Sequence, residues 1–167
     1  MAKSNKKLVK YNKTPKTPKT PKTPKSGKGK RKTLRKHSQK VPNTQKSAIV
    51  KTFFEILHSI KLYHWKTQSY SQHKATDELH EKLSGQVDRF VEVLMGKTNS
   101  RIDMVEHKMR LYDFDTKFEF QHKLFEFRQF LIDLNDTFKS KKDSDLMTIR
   151  DDMLESVNQF LYLLTLR

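Results

Sequence analysis

Apolar residues return at helical spacing along four stretches of the chain. Phe53, Leu57, Ile60 and His64 step by four, three and four, which is one face of an amphipathic helix. The pattern predicts a first helix from about Ser47 to Lys66, with Thr44 or Ser47 as its cap. Leu79, Leu83, Val87, Phe90 and Leu94 predict a second helix from about Gln72 to Met95, with Gly96 as the residue past its last turn. Phe120, Leu124, Phe127, Leu131, Leu134 and Phe138 predict a third, from about Lys117 to Phe138. Lys139 to Asp143 is a polar turn, and Ser144 caps a fourth helix that carries Ile149, Met153, Val157, Phe160 and Leu164 to the end of the chain. Residues 97–116 contain apolar positions such as Ile102, Val105 and Leu111 but no long stripe, and they read as a crossover with one short helix.

The connections are therefore short, long and short. Short links join antiparallel neighbours, whereas a link of about twenty residues can run the length of a bundle and join parallel helices. The predicted fold class is all-α: a ferritin-like four-helix bundle with a long crossover between helices 2 and 3. Helices of about 20–24 residues would be near 30–36 Å long.

Charge divides the chain in two. Residues 1–47 hold fifteen Lys and two Arg and no Asp or Glu, so that 18 of the 35 basic residues stand with all 19 acidic ones in residues 48–167. The expected organisation is a disordered Lys/Pro-rich nucleic-acid-binding arm over 1–46 and the bundle over 47–167, since so few apolar residues cannot offset the entropy of ordering the arm. Within the arm KTPKTPKTPKTPK places a proline at every third residue, the repeat of a polyproline II helix, which would set Lys13, Lys16, Lys19, Lys22 and Lys25 ~9 Å apart. Lys28, Lys30, Arg31, Lys32, Arg35 and Lys36 form a denser cluster behind it. Such a segment implies a polyanion partner, bound by neutralising phosphates. Its single aromatic residue, Tyr11, gives no base-stacking platform.

The chain has no cysteine, which excludes disulfides, thiolate metal sites and cysteine nucleophiles. The first thirty residues carry no apolar secretory core, and no run of eighteen apolar residues exists to span a membrane. The expected location is intracellular and associated with nucleic acid (nucleus, nucleoid or virion core), without secretion or a membrane partner.

The candidate chemistry lies between His64 and Glu92. His64 is on the apolar stripe of the first helix, where a histidine is more often a hydrogen-bonded core residue than a ligand. Asp88 and Glu92 lie about 40° apart on a helical wheel and point about 140–180° away from the core stripe, the usual position of solvated carboxylates. His80 sits near the core edge of the second helix, as a structural residue or an extra ligand. Glu119 and His122 have the spacing of a di-iron Glu-x-x-His pair, but His122 points about 140° away from the stripe of its helix.

This stretch resembles the Dps family, the mini-ferritins that associate with DNA. The His64-Trp65 pair, a second histidine at His73 and Asp88-x-x-x-Glu92 carry the resemblance, and Ser69 to Ala75 and Leu161 to Leu166 are similar to Dps-like proteins of large DNA viruses and phages. The nine-position step from His64 to His73 is shorter than in the classical members. The resemblance implies a metal site between two subunits, with His64 and His73 from one chain, Asp88 and Glu92 from the other, and Trp65 beside it. It implies iron as the metal, with other divalent ions open, a ferroxidase activity, and a homo-oligomer, either a dimer or a dodecamer. It also implies DNA as the partner of the arm. The alternative is a metal-free structural protein of nucleic-acid packaging or of a virion, using its bundle only to oligomerise. A third reading is an interaction module whose tail serves only as a nuclear address.

Overall fold

A computed structural model describes residues 40–166. By contacts the chain divides into two units, Met1–Arg35 and Lys36–Arg167, and only the second falls within the described residues. There it is all-helical, with α1 (Asn43–Lys66), α2 (Tyr70–Thr98), α3 (Lys117–Thr137) and α4 (Ser144–Leu163), and no strand among the described residues.

Each helix buries the stripe that its sequence marks. Phe53, Ile60, Leu83, Phe90, Leu94, Phe120, Leu124, Leu131 and Met153 are sealed from solvent in one continuous core. Phe53 organises its centre, meeting Phe90 edge-on at 5.4 Å and Phe130 at 5.9 Å between ring centroids. Such edge-to-face pairs contribute ~0.5–1.5 kcal/mol beyond the burial of their area.

Four sets of contacts give the relative directions of the helices. The start of α1 meets the end of α3 through Gln45 and Thr137, and the end of α1 meets the start of α3 where Tyr63 stacks on Phe120. The end of α2 meets the start of α4 through Lys97 and Asp145 at 2.7 Å, and further back Lys82 meets Gln159. The three-residue link 67–69 turns α1 back into α2, and residues 138–143 turn α3 back into α4. Each contacting pair (α1 with α2 and α3, α4 with α2 and α3) is thus antiparallel. It follows that α2 and α3 run the same way.

The long connection, residues 99–116, lies along α1. Asn43 holds the backbone of Asp103, and Lys46 donates to Ser100 Oγ at 2.8 Å and to the Arg101 carbonyl at 3.1 Å. Ser47 accepts from the Val105 amide, Lys51 pairs with Glu106, Glu55 accepts from the Arg110 amide, and Lys66 pairs with Asp113 and Asp115. The short helix expected in this connection does not form. Its residues spend their hydrogen bonds on α1 side chains instead of on one another.

The helix ends differ from expectation in physical detail. α1 starts at Asn43, ahead of Ser47, and neither Thr44 nor Ser47 caps it; Pro42 occupies the N-cap position without a side-chain hydrogen bond. Lys46, counted with the basic arm, is 2 % exposed and belongs to the bundle. α2 runs through Gly96 to Thr98, because Thr98 continues the buried Leu94 face by one more turn. The left-handed residue that ends it is Asn99, with φ 47°; Asn is the usual substitute for glycine there. Ser144 is the first residue of α4, and Asp143 stands at its N-cap. Thr116 and Glu119 form a reciprocal capping box at the start of α3. That is the local role of Glu119, while exposed His122 lies 3.4 Å from Glu126.

Candidate metal-binding face and histidine clasp

The tight link between α1 and α2 brings His64 and His73 together. Ser69 caps α2 by accepting from the Gln72 amide, and Tyr63 and Thr67 both donate to Gln72 Oε1. The two imidazoles stack with centroids 3.9 Å apart and planes 24° apart. Their backbone bonds are reciprocal. His64 Nδ1 lies 2.9 Å from the His73 carbonyl, and His73 Nδ1 lies 3.0 Å from the His64 carbonyl. A carbonyl oxygen only accepts, so both Nδ1 atoms donate, and Nε2 is the ring nitrogen left without a backbone partner in each. The His64 carbonyl is in the last turn of α1, where backbone acceptors lack intrahelical donors. The His73 ring therefore caps α1.

His64 is buried and His73 half-buried, whereas Trp65 beside them is 67 % exposed. Nε2 of His64 lies 3.8 Å from Asp77 Oδ1. Lys61 donates to the same oxygen at 3.1 Å, and this hydrogen bond, ahead of its charge, holds the Asp77 carboxyl below its usual range. Half-buried His80 belongs to the same neighbourhood. Burial first, then the Lys61 charge, lowers its pKa below the ordinary imidazole value, and Asp77 opposes them.

Asp88 and Glu92 are exposed, one turn apart on the outer face of α2. Glu92 borders two open clefts, one of about 440 Å³ with Met95, Asn99 and Arg101, the other of about 400 Å³ with Arg89, Asp145 and Thr148. Asp88 follows His73 by fifteen positions, ~22 Å along a straight helix. One chain therefore does not bring the histidines and the carboxylates together. No group of three or more His, Asp or Glu side chains placed for one ion occurs among the described residues. Lys13, Lys16, Lys19, Lys22, Lys25, Lys28, Lys30, Arg31, Lys32, Arg35 and Lys36, the expected nucleic-acid contacts, lie outside the described residues.

Sequence reasoning placed His64 on the buried stripe but missed the reciprocal clasp, which depends on the closeness of the α1–α2 turn. It also missed the capping role of Glu119, whose signal is the Thr-x-x-Glu spacing before an apolar run.

Fold and face together define an all-α, four-helix protein with two histidines ordered at one end and two carboxylates on an outer face. The chain belongs to a family of unknown function (DUF5856), whose model matches residues 64–164 and takes in both histidines, both carboxylates and Trp65. No curated protein and no solved structure matches the chain. No helix among the described residues is long and apolar enough to cross a membrane.

Proposed function

We propose that this chain is a Dps-like protein with a ferritin-like bundle, which associates with DNA through its basic arm and binds and oxidises iron between subunits of a homo-oligomer. The observation that carries the DNA half is the charge division: residues 1–42 alone hold fourteen Lys and two Arg with no carboxylate. The parallel course of α2 and α3, with their connection laid along α1, supports the ferritin-like reading, since a long crossover is what that version of the bundle needs.

The donors present fit an intersubunit iron site. Both histidines have Nδ1 tied to a carbonyl, the arrangement that fixes a ring and leaves Nε2 for a metal. Asp88 and Glu92 face outward, ~22 Å along α2 from His73, so a site that joins them to this histidine pair takes the histidines from another chain. Imidazole and carboxylate together suit iron, manganese or zinc. Iron would be the substrate. Histidines of one protomer and carboxylates of its partner would hold it.

A specific observation favours the metal-free structural reading instead. His64 Nε2, the nitrogen a metal would need, lies 3.8 Å from Asp77 Oδ1, and the same carboxylate is already ion-paired with Lys61 at 3.1 Å. Anaerobic ferrous-iron titration followed by oxygen or peroxide decides between them. The iron reading expects saturable binding and fast oxidation by the wild type, and their loss in Asp88→Ala/Glu92→Ala, whose exposed positions leave the fold intact. No binding by the wild type leaves DNA packaging as the function.

A further inference from the structure

The end of the bundle where α1 begins is tied together by contacts that close a ring. Gln45, in the first turn of α1, donates to Thr137 Oγ1 at the end of α3, at 2.7 Å. Lys46 donates to the Arg101 carbonyl, just past α2, at 3.1 Å. Lys97, in the last turn of α2, donates to the Lys142 carbonyl in the turn between α3 and α4, at 2.8 Å. The start of α1, the residues past α2 and the α3–α4 turn therefore form one surface.

That surface is positive. Residues 40–47, 97–103 and 136–145 hold seven Lys and Arg against four Asp and no Glu, whereas the other described residues hold twelve Lys and Arg against fifteen Asp and Glu. Two of the four carboxylates are already engaged. Asp143, the only one inside the turn, is sealed from solvent, accepts from the Lys139 amide at 2.8 Å and pairs with Lys97 at 3.3 Å. Lys97 also pairs with Asp145 at 2.7 Å. Lys40, Arg101, Lys139, Lys141 and Lys142 are exposed, and none of them pairs with a carboxylate among the described residues. Elsewhere on the bundle Lys51, Lys61, Lys66, Arg89 and Lys123 each have such a partner.

Like charges held together repel one another, and a partner of dense negative charge relieves that repulsion. The chain itself favours nucleic acid as this partner. Lys40 is the last cation of the Lys/Arg-rich sequence that precedes α1. Lys36 to Lys40 spans at most ~14 Å of chain, so a duplex held at Lys36 is within reach of this surface. The histidine clasp lies ~36 Å away along α1 and is left free.

We infer that this end of the bundle is a second contact for duplex DNA, seated end-on against phosphates beside those that the arm engages. The inference rests on the DNA half of the proposed function. Helix axes 8–10 Å apart make the end ~20 Å across. A duplex carries one phosphate charge per ~1.7 Å, so that length presents more phosphates than five cations engage. Contacts of this kind set position and carry no sequence preference.

The test uses the full chain and a random-sequence duplex, with metal excluded by chelator. Lysine acetylation by acetic anhydride, read residue by residue by mass spectrometry, locates the contact. The duplex should protect Lys139, Lys141 and Lys142 several-fold and leave Lys74 and Lys108, exposed elsewhere, reactive. Lys139→Gln/Lys141→Gln/Lys142→Gln should weaken binding about ten-fold at 0.1 M salt and make log K against log salt shallower by about 1–2. The charge-matched Lys74→Gln/Lys108→Gln/Arg110→Gln should bind within about two-fold of wild type. All six positions are exposed, and circular dichroism checks that both variants keep wild-type helicity. Three lysines that stay fully reactive on the duplex, or equal losses in the two variants, overturn the inference while the wild type still binds DNA. A wild type that does not bind the duplex overturns the DNA reading and this contact with it. Protection by polyglutamate as strong as by the duplex assigns the end to acidic protein surfaces and overturns the inference as well.

Discussion

Replacing His73 with alanine tests whether the clasp is built as described. The substitution removes the donor from His73 Nδ1 to the His64 carbonyl at 3.0 Å and the ring stacked on His64 at 3.9 Å. A partly buried carbonyl left without its donor costs ~1 kcal/mol or somewhat more. Loss of the stacked ring adds ~0.5–1 kcal/mol. The reciprocal bond from His64 Nδ1 to the His73 carbonyl involves residue 73 only through its backbone, so it survives. The expected loss is ~2 kcal/mol. At ~4 °C per kcal/mol for a domain of this size, Tm should fall by about 8 °C. Asp88→Ala, at an exposed position, should stay within ~0.5 kcal/mol, or about 2 °C. Circular dichroism melts in chelator, with metal excluded, separate the two. A His73→Ala shift no larger than that of Asp88→Ala would refute the clasp. Long-range nitrogen NMR of the imidazoles would refute it independently if it found the proton on Nε2 of either ring.

Two further outcomes follow from the helices. Gly96 lies inside α2, and a Cβ there meets no atom within 4 Å, so Gly96→Ala should stabilise the protein by ~0.8–1 kcal/mol, raising Tm by about 4 °C; a lower Tm would place Gly96 outside the helix. For His80, burial and the Lys61 charge lower the folded-state pKa beneath the ordinary imidazole value of 6.5. Between those two values the unfolded chain binds more protons, so stability should fall as pH drops below 6.5 toward the folded-state pKa. His80→Gln should flatten that part of a Tm–pH curve, and an unchanged curve would count against the assignment.

Much of the bundle was legible from periodicity, because each buried stripe is a local pattern. Leu79 to Leu94 and Phe120 to Phe138 mark their helices without help from the rest of the chain. What was not legible depends on partners far away in sequence. Lys46 reads as one more cation of the arm until Ser100 and Arg101 fold over it. Gly96 reads as a helix stop until Thr98 is seen to be buried. Residues 97–116 have scattered apolar positions that read as a crossover with one short helix, but the hydrogen bonds of this connection go to α1. At the candidate site, the outward aim of Asp88 and Glu92 was readable from the wheel. The pairing of His64 with His73 was not, since it is fixed by the three-residue link and by Gln72.

The central claim is that the arm binds DNA, and its salt dependence tests that most directly. Residues 1–42 hold sixteen cations; if half engage phosphates, log K against log salt should have a slope of roughly −7. A full-length variant with the eleven named Lys and Arg between Lys13 and Lys36 replaced by Gln should retain a slope of about −3 or shallower and bind far more weakly at moderate salt. A wild-type slope near zero, or equal binding by the two proteins, would contradict the account.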